Sequence, residues 1–178
     1  VAIAYDSRIK SDKFAKEAAA VLAANGIKVY IYSELMPTPM LSWAVRELKC
    51  QAGIVITASH NPAKYNGYKV YGEDGCQITL DVANTVIGKI NAVEMFGGAK
   101  VIDFEDGIKS GKIEYIKQDV IDKYLDKVAQ QGVHTDLVAD SGLKVVYTPL
   151  NGTGNKPVRA ILKKIGIKEV TVVPEQEN

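Results

Sequence analysis

Three short apolar runs at residues 1–5, 27–32 and 53–57 alternate with two segments of helical period, and that alternation restricts the fold more than any other feature. The runs are rich in Val, Ile and Tyr, which suit a pleated and largely buried surface. Residues 12–24 are Ala-rich, place Phe14, Ala18, Val21 and Leu22 at helical spacing, and stop at Asn25-Gly26, a left-handed terminator. After Pro37-Thr38-Pro39, residues 40–49 put Leu41, Ala44, Val45 and Leu48 on one helical face. Strand, helix, strand, helix, strand at this spacing predicts an α/β domain, a layered sheet with helices on both faces. Ligands in such domains bind beyond the carboxyl ends of the strands, where residues 57–62 fall.

The remainder of the chain is less regular. Asn66-Gly67 signals a tight turn, with residues 68–71 as the strand that follows. Residues 79–95 read as a helix, 101–104 as a strand or extended edge, 113–116 as extended, and 120–129 as an amphipathic helix. A polar, turn-rich passage covers 132–142, after which strand, helix and strand recur at 144–148, 153–165 and 169–173. A boundary near 136–143 is expected, with domains at 1–138 and 139–178. The second of these is too small to close its own sheet, and both chain ends read as cut. Its apolar positions Val158, Ile161, Leu162 and Ile165 then predict self-association or disorder.

Composition excludes some partners. A net charge of +1 argues against nucleic acid or a membrane surface, which call for a basic excess. No apolar stretch reaches the ~18 residues of a spanning helix. The two cysteines, Cys50 and Cys76, form no CxxC pair and no disulfide framework, which points to a cytoplasmic location.

Chemistry concentrates in residues 57–69. Pro62 forces Asn61 out of the helical region, so the strand before it ends in an extended or turned loop. That loop sets a hydroxyl (Ser59), an imidazole (His60) and an amide (Asn61) side by side. Lys69 follows on a strand able to pair back, which would bring its ammonium toward the Ser59 hydroxyl. Donors and a cation around a hydroxyl suit a transferable phosphoryl group carrying ~1.5–2 negative charges. A plain surface loop with a solvated lysine is the competing account.

The 57–69 run resembles the phosphoserine signature of the α-D-phosphohexomutase superfamily, nearest to phosphoglucomutase and phosphopentomutase. Tyr5-Asp6-Ser7-Arg8, Pro37-Thr38-Pro39 and the run at 147–154 match its pattern in the same order. The resemblance implies a four-domain enzyme, of which this chain holds domain 1 and the start of domain 2. It implies that Ser59 carries the phosphoryl group and ligates Mg²⁺ through that phosphate. Lys69 becomes the general acid/base candidate and His60 a contact to the phosphoryl group or reacting hydroxyl. Asn61 becomes a loop-shaping or polar-contact residue. Arg8, with Asn61 a substrate-binding candidate, either holds charge near the loop or pairs with Asp6 or another carboxylate. The reaction implied interconverts sugar 1-phosphate and 6-phosphate, or the pentose 1- and 5-phosphates, through a bisphosphate, with hexose bisphosphate as activator.

The Asp-x-Asp-x-Asp metal loop of that family does not occur here; Asp103, Glu105 and Asp106 do not match it and read as solvated charges. The sugar-selecting and phosphate-anchoring loops are also lacking, so the 178 residues alone are expected to be inactive and to need the remainder of their own chain. Two other accounts remain. A serine hydrolase would need the GxSxG elbow, which does not occur. A catalytically silent sugar-phosphate-binding or scaffolding module would keep the loop without turnover.

Overall fold

The computed structural model describes residues 1–94 and 96–177, so Met95, the last residue of the helix expected at 79–95, lies outside the described residues. The chain divides into two compact units, Val1–Ile116 and Lys117–Asn178.

In the first unit, β1 (Ala2–Tyr5), α1 (Ser11–Ala24), β2 (Val29–Ile31), α2 (Thr38–Glu47) and β3 (Ala52–Ile56) follow the expected alternation. They are joined by β4 (Tyr68–Gly72), α3 (Leu80–Asn91), α4 (Phe104–Lys109) and β5 (Ile113–Tyr115). The sheet order is β4-β3-β1-β2-β5. All neighbours are parallel except β3 and β4, which run antiparallel. β1 therefore has β2 on one side and β3 on the other, and the chain reverses its winding direction at the carboxyl end of β1. That end is the topological switch point, where such sheets leave a crevice.

The two helices cover opposite faces, as the period-2 alternation of the strands shows. Ile3, Tyr5, Val29, Ile31, Ile54, Ile56 and Ile113 pack with Ala15, Ala19 and Ala23 of α1 into one core. On the other face, a Cβ on Gly53 would lie 2.5 Å from Val45 and 3.4 Å from Leu41 of α2. α2 sits so close to the sheet that only glycine fits beneath it.

The buried stripe of α1 is Ser11, Ala15, Ala19, Ala20 and Ala23, not the bulkier face expected from the sequence. Small residues let the helix lie close to the sheet. Phe14, Ala18, Val21 and Leu22 line an open cavity of about 620 Å³, completed by Glu17, Ile56, Asn66, Gly67 and Tyr68, and of the four Ala18 and Leu22 also pack against the core.

Of the strand or extended edge expected at 101–104, no strand forms: Asp103 is extended and α4 begins at Phe104. Asp103 caps it by accepting from the Asp106 amide at 3.1 Å, satisfying a donor that a helix start leaves open. The Asn66-Gly67 pair also forms no turn of its own and runs directly into β4.

The second unit contains α5 (Gln118–Ala129), α6 (Thr135–Ala139), β6 (Lys144–Tyr147), α7 (Asn155–Lys164), β7 (Glu169–Val172) and a short 3-10 helix at Pro174–Gln176. β6 and β7 form a two-stranded parallel sheet. The division falls before α5, whereas the sequence placed it at 136–143. The reason is packing: α5 lies against α7, and Asp126 pairs with Lys164 at 2.6 Å. The passage at 132–142 is not all turn, since it includes α6. Val158, Ile161, Leu162 and Ile165 are half-buried, so the face expected to be bare is partly covered. Among the described residues, no helix is long and apolar enough to cross a membrane.

Candidate functional site

The loop between β3 and β4 spans residues 57–67 and leaves the sheet at the switch point, beside the segment that follows β1. Its two ends are tied together, the Thr57 amide donating to the Gly67 carbonyl at 3.0 Å. The Thr57 hydroxyl, on a buried residue, accepts from the Ser59 amide at 3.1 Å. Within the loop, the Asn61 amide donates to Ala58 O at 3.2 Å and the Tyr65 amide to Pro62 O at 3.0 Å.

Ser59 adopts φ of +58°, in the left-handed region that non-glycine residues seldom enter. Strain of this kind persists where surrounding contacts over-determine the backbone, as they do at many reactive sites. The Ser59 side chain is exposed, and its Oγ lies 3.3 Å from His60 Nδ1. Adjacent side chains on a loop seldom face each other; the left-handed turn at Ser59 makes it possible here. His60 and Asn61 are exposed as well, and it is the Asn61 main-chain N–H that closes the turn.

Lys69 lies on β4 opposite Val55, so its side chain projects from the same face as Val55, the α2 face. The strand does pair back as the sequence suggested. Among the described residues the Lys69 ammonium takes no hydrogen bond or ion pair, and none joins it to Ser59.

Arg8 is turned inward. Its Nε pairs with Asp6 Oδ2 at 3.1 Å, and the two side chains are only 8% and 14% exposed. Its Nη1 donates to Pro62 O at 2.9 Å and Tyr65 O at 3.2 Å, and its Nη2 donates to Ser59 O. Both readings of Arg8 have a counterpart here: it pairs with Asp6, and its guanidinium lies against the loop's main chain.

Sequence reasoning missed the rest of this scaffold. Asp6 Oδ1 accepts from the Arg8 amide at 3.0 Å and from the Ser11 hydroxyl at 2.7 Å. Ser11, fully buried, accepts in turn from Asn66 Nδ2 at 2.8 Å. The signal was present in Asp6 and Ser11, which lie just before and at the start of the first helix, and in an Asn-Gly pair whose amide does the anchoring.

No group of three or more His, Cys, Asp or Glu that could hold a metal occurs among the described residues. Mg²⁺ prefers several oxygen ligands in octahedral geometry, and one serine oxygen is not such a set. The residues present do not fit a resident Mg²⁺ by themselves.

Residues 1–96 match the family model for phosphoglucomutase/phosphomannomutase, alpha/beta/alpha domain I, and residues 122–178 match the model for domain II. The phosphoglucomutase of Staphylococcus haemolyticus is 38% identical, over 99% of this chain and 31% of that protein. The phosphoribomutase of Saccharomyces cerevisiae is 35% identical, over 99% and 30%. The human glucose 1,6-bisphosphate synthase is 34% identical, over 99% and 29%. A solved structure from Thermus thermophilus superposes with TM-score 0.79 at 26% identity, covering 99% of this chain and 37% of that one. The Paramecium phosphoglucomutase parafusin superposes at 0.76 with 17% identity, over 96% and 35%, a likeness of fold alone. The chain thus spans about 31% of the length of the first of these relatives. It belongs to the phosphoglucomutase/phosphomannomutase family.

Proposed function

We propose that Ser59 is the phosphate carrier of a sugar-phosphate mutase, and that this chain is the part of the enzyme that bears it. One observation carries the reading: an exposed serine hydroxyl, held on a left-handed turn at the sheet's switch point, with an imidazole nitrogen 3.3 Å away. Phosphoryl transfer asks a protein chiefly for positioning and charge compensation, and a loop tied at both ends supplies the first.

In the proposed step, the Ser59 Oγ–P bond breaks and a new P–O bond forms to a free hydroxyl of the sugar monophosphate. The proton leaving that hydroxyl is carried over to Ser59 Oγ, and His60 Nδ1 is within reach to pass it. The bisphosphate then returns its other phosphate to Ser59 by the same exchange, so nothing is hydrolysed. Lys69, on the neighbouring strand, is the acid/base candidate on the sugar side, and Asn61 a polar contact for substrate. A hexose bisphosphate would prime the serine. No step is assigned to Mg²⁺, since the residues here do not form its site.

The relatives' names, phosphoglucomutase, phosphoribomutase and glucose 1,6-bisphosphate synthase, support a sugar phosphate of hexose or pentose class. We infer that the 178 residues by themselves do not turn over substrate, and that the enzyme is cytosolic, in keeping with its two free thiols.

The test is uptake of label from ³²P-glucose 1,6-bisphosphate by the full-length protein, followed by peptide mapping. Label on the peptide containing Ser59, absent from Ser59→Ala together with all interconversion, is the expected result. A Ser59→Ala protein that still interconverts sugar phosphates overturns the reading. Sugar-phosphate binding without any label on Ser59 would make the protein a silent binding module instead.

A further inference from the structure

We propose that Arg8 is a positioning residue for the phosphate carrier: its guanidinium draws the carbonyls of Ser59, Pro62 and Tyr65 inward and so sets the turn that exposes Ser59 Oγ. The inference rests on the reading of Ser59 as carrier, and deepens it by assigning the element that holds the carrier in shape.

Three observations support it. First, the loop is exposed while the cation beneath it is not: Arg8 is 8% exposed, yet Ser59, Pro62 and Tyr65 all lie at the surface. A guanidinium offers five donors in a rigid planar fork, and here that fork meets three carbonyls and one carboxylate at once. A lysine ammonium, with three donors about one point, cannot reproduce that spread.

Second, one of the captured carbonyls belongs to Ser59 itself, the residue at φ +58°. Left-handed backbone is unfavourable for an L-residue, because Cβ crowds the following carbonyl oxygen. A charge-assisted hydrogen bond to that same peptide, stronger than one between neutral groups, opposes that cost. The bond to Ser59 O restricts ψ of the serine, and with it the direction in which the Cα–Cβ bond carrying Oγ leaves the main chain.

Third, the arrangement bears on charge. A carbonyl oxygen carries the negative end of its peptide dipole and would repel a phosphoryl group. With three of them turned toward Arg8, the outer surface of the loop is left without those oxygens. In a trans peptide the N–H points opposite to the C=O, so the amides of His60, Ala63 and Asn66 face away from the guanidinium. Asp6 completes the device. Its carboxylate orients Arg8 through Nε and through the Arg8 amide, and is itself held by Ser11. Arg8's side-chain bonds are to Asp6 and to main-chain carbonyls, so its hold on the carrier runs through the backbone.

The test uses the full-length protein with Arg8→Lys, which keeps the charge and loses the fork. Expected are a fall in kcat of about 10²-fold, typical of a misplaced reacting group, with KM for the sugar phosphate within about threefold of the parent. The ³¹P resonance of phospho-Ser59 is expected to shift and broaden while the circular dichroism spectrum is retained. If Arg8→Lys does not fold, Asp6→Asn, which loosens the guanidinium without removing it, should show the same pattern at about tenfold. Unchanged kcat and an unchanged ³¹P resonance in the variant that folds overturn the inference. Ser59→Ala separates the two claims: if it abolishes transfer while the Arg8 and Asp6 variants remain normal, the carrier stands and the positioning role falls.

Discussion

Gly67 and Thr57 approach so closely that a Cβ on Gly67 would lie 2.6 Å from the Thr57 carbonyl oxygen, while the Thr57 amide donates to the Gly67 carbonyl at 3.0 Å. The pair closes the Ser59 loop at its base. The glycine is there for room and not for conformation, since its φ lies outside the left-handed region.

Gly67→Ala should therefore destabilise the first unit by about 1–3 kcal/mol, because the contact is with main chain and cannot yield by a side-chain rotation. In a domain of this size that is a fall in Tm of roughly 4–8 °C per kcal/mol. Thermal melts of the two proteins check it, and an unchanged Tm would mean the loop base is free to widen.

Ser11→Ala is expected to cost about 1–3 kcal/mol, since it removes a fully buried hydroxyl that donates to Asp6 and accepts from Asn66. Urea titration should show a lower midpoint with an unchanged slope. Ser59→Ala should leave the stability within about 0.5 kcal/mol of the parent, because the Ser59 side chain is exposed. The contrast separates the scaffold from the carrier.

Gly53→Ala tests the other face of the sheet. The added methyl would lie 2.5 Å from Val45, forcing α2 outward or Val45 off its rotamer, for about 1–3 kcal/mol. Pairing it with Val45→Ala should recover part of that loss. Strictly additive losses in the double variant would show that α2 does not bear on Gly53.

Alkaline pH should weaken the protein. Burial raises the Cys50 thiol and the Tyr5 hydroxyl; for Tyr5, Asp12, Tyr115 and Glu34 add to the effect. With the folded values raised, the unfolded chain loses these protons first. The stability they protect is full below the unfolded values and falls as pH rises, from about 9 for the thiol and about 10 for the phenol. Urea midpoints at about pH 7.5, 9 and 10.5, in this protein and in Cys50→Ala, should show a steady decline that is shallower in the variant.

The domain's layering could be read from sequence because β1, β2 and β3 are continuous apolar runs and their helices end at recognisable signals such as Asn25-Gly26. Helix orientation was harder to read. Periodicity scores bulk, so Phe14 and Val21 outweighed the alanines that let α1 lie against the sheet. Residues 101–104 look extended by composition, and Asp103 overrides that by capping α4. The hydroxyl, imidazole and amide of the loop were legible as neighbours in sequence. The hold of Arg8 on carbonyls more than fifty positions away was not, because main-chain acceptors leave no trace in residue type.

The central place of β1 also bears on the order in which this protein can be made. β1 leaves the ribosome ahead of β2 and β3, yet it takes partners from both. Its second edge stays open until Ile56 has emerged. Until then the nascent chain carries an apolar strand with one flank bare, so any shielding it needs during translation falls in that interval.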